Sequence, residues 1–112
     1  MNNLRNKVQL IGNIGNNPEI ITIQNGKKIA KLSLATNEHF TDSKGEKKTI
    51  TQWHNLEAWG KIAEIIEQFI KKGEEVAVDG KIVYENYDAK DGTKRYITKI
   101  KVNEILMLSG KA

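Results

Sequence analysis

The sequence predicts an all-β domain, a small curved barrel of five strands with one α-helix between strands 3 and 4. Three observations carry this. Apolar and polar residues alternate along most of the chain, the period of half-buried strands. Glycines interrupt the alternating runs where a sheet can bend. One stretch alone, from Lys61 to Gly73, changes to a helical period.

Residues 4–12 form the first strand, with Leu4, Asn6, Val8 and Leu10 on one face and Arg5, Lys7, Gln9 and Ile11 on the other. Gly12 and Gly15 interrupt it, and G-N-I-G-N-N-P-E reads as a bulge and turn that re-aims the chain before residues 20–23 resume an extended course. Asn25-Gly26 supplies the positive φ angles of a type I′ hairpin turn. Residues 28–37 are then the return strand, with Ala30, Leu32 and Leu34 inward. Residues 38–49 lack apolar periodicity and read as a long, lysine-bearing hairpin loop. Residues 50–59 make the third strand.

In K-I-A-E-I-I-E-Q-F-I-K-K-G the apolar side chains Ile62, Ile65, Ile66, Phe69 and Ile70 fall at helical spacing, and Glu67 precedes Lys71 by four. Gly73 ends this helix of about twelve residues, Lys71 and Lys72 suiting its negative end. Residues 75–87 form the fourth strand with a bend at Gly80, D-A-K-D-G is a turn, and residues 93–108 are the last strand. This order matches an oligonucleotide-binding (OB) barrel better than other small all-β architectures.

Composition narrows the function. A chain of 112 residues fits a single domain, 1–112 with a core of about 4–108. It has no cysteine and two histidines, which excludes disulfides and thiolate metal sites and argues against a clustered metal site or a cofactor. No apolar run suits a membrane span, so a cytoplasmic protein is expected. The net charge of +4 favours polyanions mildly, and sixteen of the eighteen basic residues are lysine, a mobile point charge rather than the fork that reads guanine. Charge without base readout is tolerant of sequence.

Both tryptophans lie in T-Q-W-H-N-L-E-A-W-G, residues 51–60, where alternation puts Trp53, Asn55, Glu57 and Trp59 on one face and His54, Leu56 and Ala58 on the other. Strand position alone leaves a core and an exposed platform equally open. The amide and carboxylate between the indoles suit a wet surface, because an unpaired buried glutamate is costly. Exposed rings beside lysines are what stacking on unpaired bases requires. Phe40 and Tyr87 stand among polar neighbours and read as exposed, Phe69 as core, and Tyr96 as core or interface before base contact.

These residues also carry a resemblance. The segments N-K-V-x-L-x-G-N-x-G (6–15), Pro18-Glu19, N-G (25–26), L-A-T (34–36), W-H (53–54), G-K-x-A-E (60–64), K-K-G (71–73), D-G-K-I (79–82) and D-G-x-x-R-Y (91–96) resemble bacterial single-stranded DNA-binding proteins over nearly the whole chain. The resemblance implies a homotetramer of OB barrels that wraps single-stranded DNA without sequence preference in replication, recombination and repair. It places base stacking on Phe40, Trp53, Trp59 and Tyr87, a subunit contact on His54, and basic contacts on Lys7, Lys61, Lys72 and Arg95. Lys48 and Lys71 complete the expected DNA-backbone set.

Departures from the family pattern accompany the match. Phe40 and Tyr87 stand where tryptophan is common, and Ile21, Asn55, Val83, Glu85 and Asn86 where basic residues are usual, which predicts weaker binding per subunit or an altered path. Family members commonly end in an acidic tip that recruits replication and repair enzymes, whereas this sequence stops at L-S-G-K-A. A shortened chain and a version without the tail both fit.

Other classes are disfavoured. A nuclease needs gathered carboxylates, but Asp42, Asp79, Asp88 and Asp91 sit in turns or beside glycines. No serine or histidine arrangement suggests covalent catalysis, so no enzyme is expected. The more serious rival is an OB-fold accessory replication protein acting through protein contacts.

Overall fold

The computed structural model describes residues 4–108. After a 3-10 turn at Leu4–Asn6, the chain runs through β1 (Val8–Ile14), β2 (Glu19–Thr22), β3 (Lys28–Thr41), β4 (Lys47–Trp59), α1 (Lys61–Phe69), β5 (Glu75–Asp88) and β6 (Lys94–Met107). The strands form one sheet in the order β1-β5-β6-β4-β3-β2, and a pairing between β1 and β3 closes it. The expected first strand is thus two segments, β1 and β2, that share the first position of a five-stranded barrel. The C-terminal residues on which the tail question turns lie outside the described residues.

Closure depends on a change of partner inside β1. Residues 8–13 pair with β5, while Asn13 and Ile14 pair with Ala35 and Leu34 of β3. Gly12 sits at the switch, where a β-carbon would lie 2.2 Å from the carbonyl oxygen of Ala35, so only glycine lets the strands approach. Gly12 is therefore a closure point within the strand and does not end it. Gly80 does the same against Lys101 beside a register shift between Asp79 and Gly80, the bend expected there.

At the first hairpin, positive φ falls on both Asn25 and Gly26 as expected. The turn is a three-residue loop, because the Ile23 N–H donates to the Lys27 carbonyl at 2.8 Å.

Ile14, Leu32, Leu34, Leu56, Val76, Val78, Ile100 and Val102 fill the barrel, and α1 caps it with Ala63, Ile66 and, just past its end, Ile70. The helix is shorter than predicted, ending at Phe69. Phe69 is 54% exposed and not core: the apolar stripe on α1 is wider than the barrel mouth, which accepts one edge of it. Glu67 pairs with Lys28 at 2.6 Å across the barrel end and not with Lys71, which lies beyond the helix.

The predicted loop at 38–49 is mostly strand. β3 and β4 stay in register from Ile29↔Trp59 to Thr41↔Lys47, and only residues 42–46 turn. Its outer half projects beyond the barrel with both faces wet, so nothing in the sequence demanded apolar alternation. The β5–β6 ribbon projects likewise. These two arms raise the radius of gyration to 16.2 Å, against about 13 Å for a compact chain of this length.

Candidate nucleic-acid interface

Alternation along β4 turns Trp53, Asn55, Glu57 and Trp59 outward, with Trp53 64% and Trp59 41% exposed. The indoles are not barrel core. Trp53 lies over Gly15, next to Ser33, and a side chain at Gly15 would collide with its ring. Lys101 places its ammonium 5.8 Å from the Trp59 ring centroid, within cation–π range.

Glu57 is not the wet carboxylate that the sequence suggested. It is 7% exposed. One oxygen accepts the Trp59 Nε1–H at 2.9 Å, and the other accepts Lys99 Nζ at 2.9 Å. Burial pushes its carboxyl up, but the hydrogen bonds from Lys99 and Trp59 and the charges of Lys99 and Lys31 outweigh this and hold it below the ordinary carboxylate range. For Lys99 burial acts downward, and the bonds to Glu85 and Glu57 leave its ammonium above its ordinary range. Lys99 also meets Glu85 at 2.9 Å, so β4, β6 and β5 are joined on their outer face.

Two hollows flank this network. One, of about 360 Å³, is lined by Asn16, Lys31, Ser33, Asn55, Tyr87 and Ile97 among others, and the second, of about 270 Å³, holds Trp59, Lys81, Val83 and Lys101. Glu57, Glu85 and Lys99 line both. The arrangement offers π-faces, mobile ammonium groups and no gathered metal ligands: among the described residues no group of three or more such side chains could hold a metal ion. Asp42 and Asp91 are occupied in turn chemistry, accepting the N–H groups of Lys44 and Thr93.

The expected stacking residues are not all gathered. Tyr87 shares the face of Trp53 and Trp59, because it stands two residues from Glu85 on β5, and Glu85 meets Lys99 on that face. Phe40 is 44% exposed but stands opposite Lys48 on the reverse side of the β3–β4 ribbon from Trp53. Tyr96, at 78% exposure, is not core and lies with Tyr84 on the reverse of the β5–β6 ribbon, since that arm leaves the barrel before Tyr96.

The basic set is scattered. Lys7 pairs with Asp79 at 3.1 Å, Lys48 with Glu46 at 3.4 Å, and Arg95, opposite Tyr87, with Asp91 at 3.4 Å. Lys61 opens α1, and Lys71 and Lys72 follow it, the Lys72 backbone N–H donating to Asn17 Oδ1 at 3.1 Å. His54, on the other face of β4, bonds Thr36 Oγ1 at 3.0 Å and is half-buried. Lys99 and Lys101 escaped the sequence reading. Their i, i+2 spacing shows they share a face, but only the pairing of β6 beside β4 shows it is the tryptophan face.

Residues 5–108 match the sequence model of the single-strand binding protein family. The chain belongs to that family. It is 41% identical over 107 residues to single-stranded DNA-binding protein 1 of Chlorobaculum tepidum, covering 95% of this chain and 66% of that protein. It is 41% identical over 106 residues to the single-stranded DNA-binding protein of Neisseria meningitidis, covering 95% and 61%. The chain thus spans about two thirds of the length of such relatives. Among solved structures, the Plasmodium falciparum SSB in complex with ssDNA superposes with a TM-score of 0.83 at 33% identity, covering 92% of this chain and 94% of that one. A deletion mutant of the Thermus aquaticus single-stranded DNA binding protein gives 0.79 at 29% identity, covering 95% and 51%. The OB barrel expected from strand order is the fold these relatives share.

Proposed function

We propose that this chain binds and protects single-stranded DNA without regard to sequence, in replication, recombination and repair, as a binding protein and not an enzyme. The observation that carries this is the pair of open indoles on one face of β4 beside Lys99 and Lys101. Trp53, Trp59, Tyr87 and, over the edge of its ribbon, Phe40 stack bases, while Lys31, Lys81 and Lys101 join Lys7, Lys48, Lys61, Lys71, Lys72 and Arg95 on the backbone.

The chain assembles as a homotetramer. An apolar row, Ile11–Ala77–Leu106, crosses the outer face of β1, β5 and β6 in register, with Ile11 54% and Leu106 62% exposed. Burial against another copy is the simplest use of such a row. His54 is the other subunit contact in this reading. None of the described helices is long and apolar enough to cross a membrane; a cytoplasmic, nucleoid-associated place is part of the single-strand reading.

The test is fluorescence anisotropy with labelled oligo(dT), oligo(dC), mixed single strands and the corresponding duplex. Single strands are expected to bind with affinities within about tenfold of one another, since every base has a π-face, and duplex much more weakly. Equal affinity for duplex would contradict stacking. Competition by poly(U) settles the choice between DNA and RNA.

A further inference from the structure

The Lys99 ammonium is held by two carboxylates of unequal standing. Glu57, whose side chain is 9% exposed, accepts from Lys99 at 2.9 Å and is bound on its other oxygen by the Trp59 indole. Glu85, 51% exposed, reaches the same ammonium at 2.9 Å from the solvent side. Breaking the buried arm would strand a charge, whereas an exposed arm contributes little and exchanges freely. The three groups line both hollows, with Tyr87 at one and Trp59 at the other.

We propose that Glu85 is an internal competitor for DNA phosphate: it occupies Lys99 in the free protein and yields that ammonium when a strand passing from Tyr87 to Trp59 carries a phosphate across. This rests on the single-strand reading and deepens it. A phosphate oxygen replaces a carboxylate oxygen at the same donor, and Glu57 stays in place holding Trp59. The DNA sheds a counterion where its phosphate meets Lys99, while the freed Glu85 draws a cation back from solution, so Lys99 adds less affinity and less salt dependence than an open lysine. Glu85 thus limits how tightly this face grips DNA.

The experiment compares wild type, Glu85→Gln, Glu19→Gln, Lys99→Gln and the Glu85→Gln/Lys99→Gln double variant in oligo(dT) titrations across a salt series. Glu19 lines the same hollow as Glu85 and controls for general repulsion. Glu85→Gln is expected to bind tighter at low salt by up to about fivefold, with a log–log salt slope steeper by up to about 0.7. Glu19→Gln should change little, and the gain should vanish when Lys99 is absent. An equal gain from Glu19→Gln, a gain that persists without Lys99, or no gain from Glu85→Gln overturns the proposal. If Lys99→Gln does not fold because Glu57 is stranded, the Glu19 comparison and the salt slope decide. Wild type that fails to bind oligo(dT) defeats the single-strand reading itself; wild type that binds beside an unchanged Glu85→Gln defeats only this inference.

Discussion

The Trp53 indole lies over Gly15 so closely that a β-carbon there would come 2.3 Å from Cζ3 of the ring and 2.8 Å from Ser33 Oγ. Gly15 has no positive φ, so contact and not backbone strain is what selects glycine. Gly15→Ala is therefore expected to shift the indole while the barrel stays intact. Its stability change should stay under about 1 kcal/mol, since only side-chain ends must move, while oligo(dT) affinity falls several-fold. Thermal melting with a binding titration checks this; unchanged affinity would show that the seat of Trp53 is irrelevant to binding.

Truncating the aromatic rings should sort them by face. Trp53→Ala, Trp59→Ala and Tyr87→Ala are each expected to cost about 1–3 kcal/mol of binding, and Tyr84→Ala and Tyr96→Ala almost nothing. Phe40→Ala should weaken only oligonucleotides long enough to pass over the ribbon edge. A length series measured for each variant distinguishes these outcomes, and affinity untouched by both tryptophan changes would favour the protein-contact rival.

Much of this was legible in the sequence because the barrel wall is half-buried and alternates. The inward set Ala30, Leu32 and Leu34 follows from period two, which also puts Trp53 and Trp59 on one face but leaves open whether that face is core or surface. What escaped lies where burial does not impose a pattern. The β3–β4 arm is solvated on both faces, so its strand reads as loop, and Phe69 sits at helical core spacing on a helix that buries one edge. Glu57 was legible as a residue that needs a partner if buried, but that partner, Lys99, is 42 positions away and reaches it only because β6 lies beside β4.

The Glu57 network predicts a pH dependence. The folded carboxyl titrates below its ordinary value of 4.5, so its contribution to stability is complete above that value and is lost as pH falls through the lowered one. Glu57→Gln should cost about 1.5–3 kcal/mol near neutrality, the range for a hydrogen bond to a charged group. The gap between wild type and variant should close below the ordinary carboxylate range. Melting both proteins from pH 7 downward measures it, and a gap that widens in acid would contradict the assigned sign.

Salt dependence tests the charge distribution. Several cations already carry carboxylates, among them Lys7, Lys48, Lys99 and Arg95, so the slope of log K against log salt should be shallow, about 0.7 for each phosphate neutralised. Lys101→Gln should flatten it by about that amount, because this ammonium stands beside Trp59 with the groove open to it. A steep wild-type slope that Lys101→Gln leaves unchanged would move the DNA path elsewhere.

The most direct measurement is intrinsic tryptophan fluorescence titrated with oligo(dT), on wild type and on Trp53→Ala and Trp59→Ala. Saturable quenching in wild type, with part of it surviving in each single variant, is the predicted result, since each indole lies open to a base. Emission that does not change as the oligonucleotide binds would contradict stacking on these two rings.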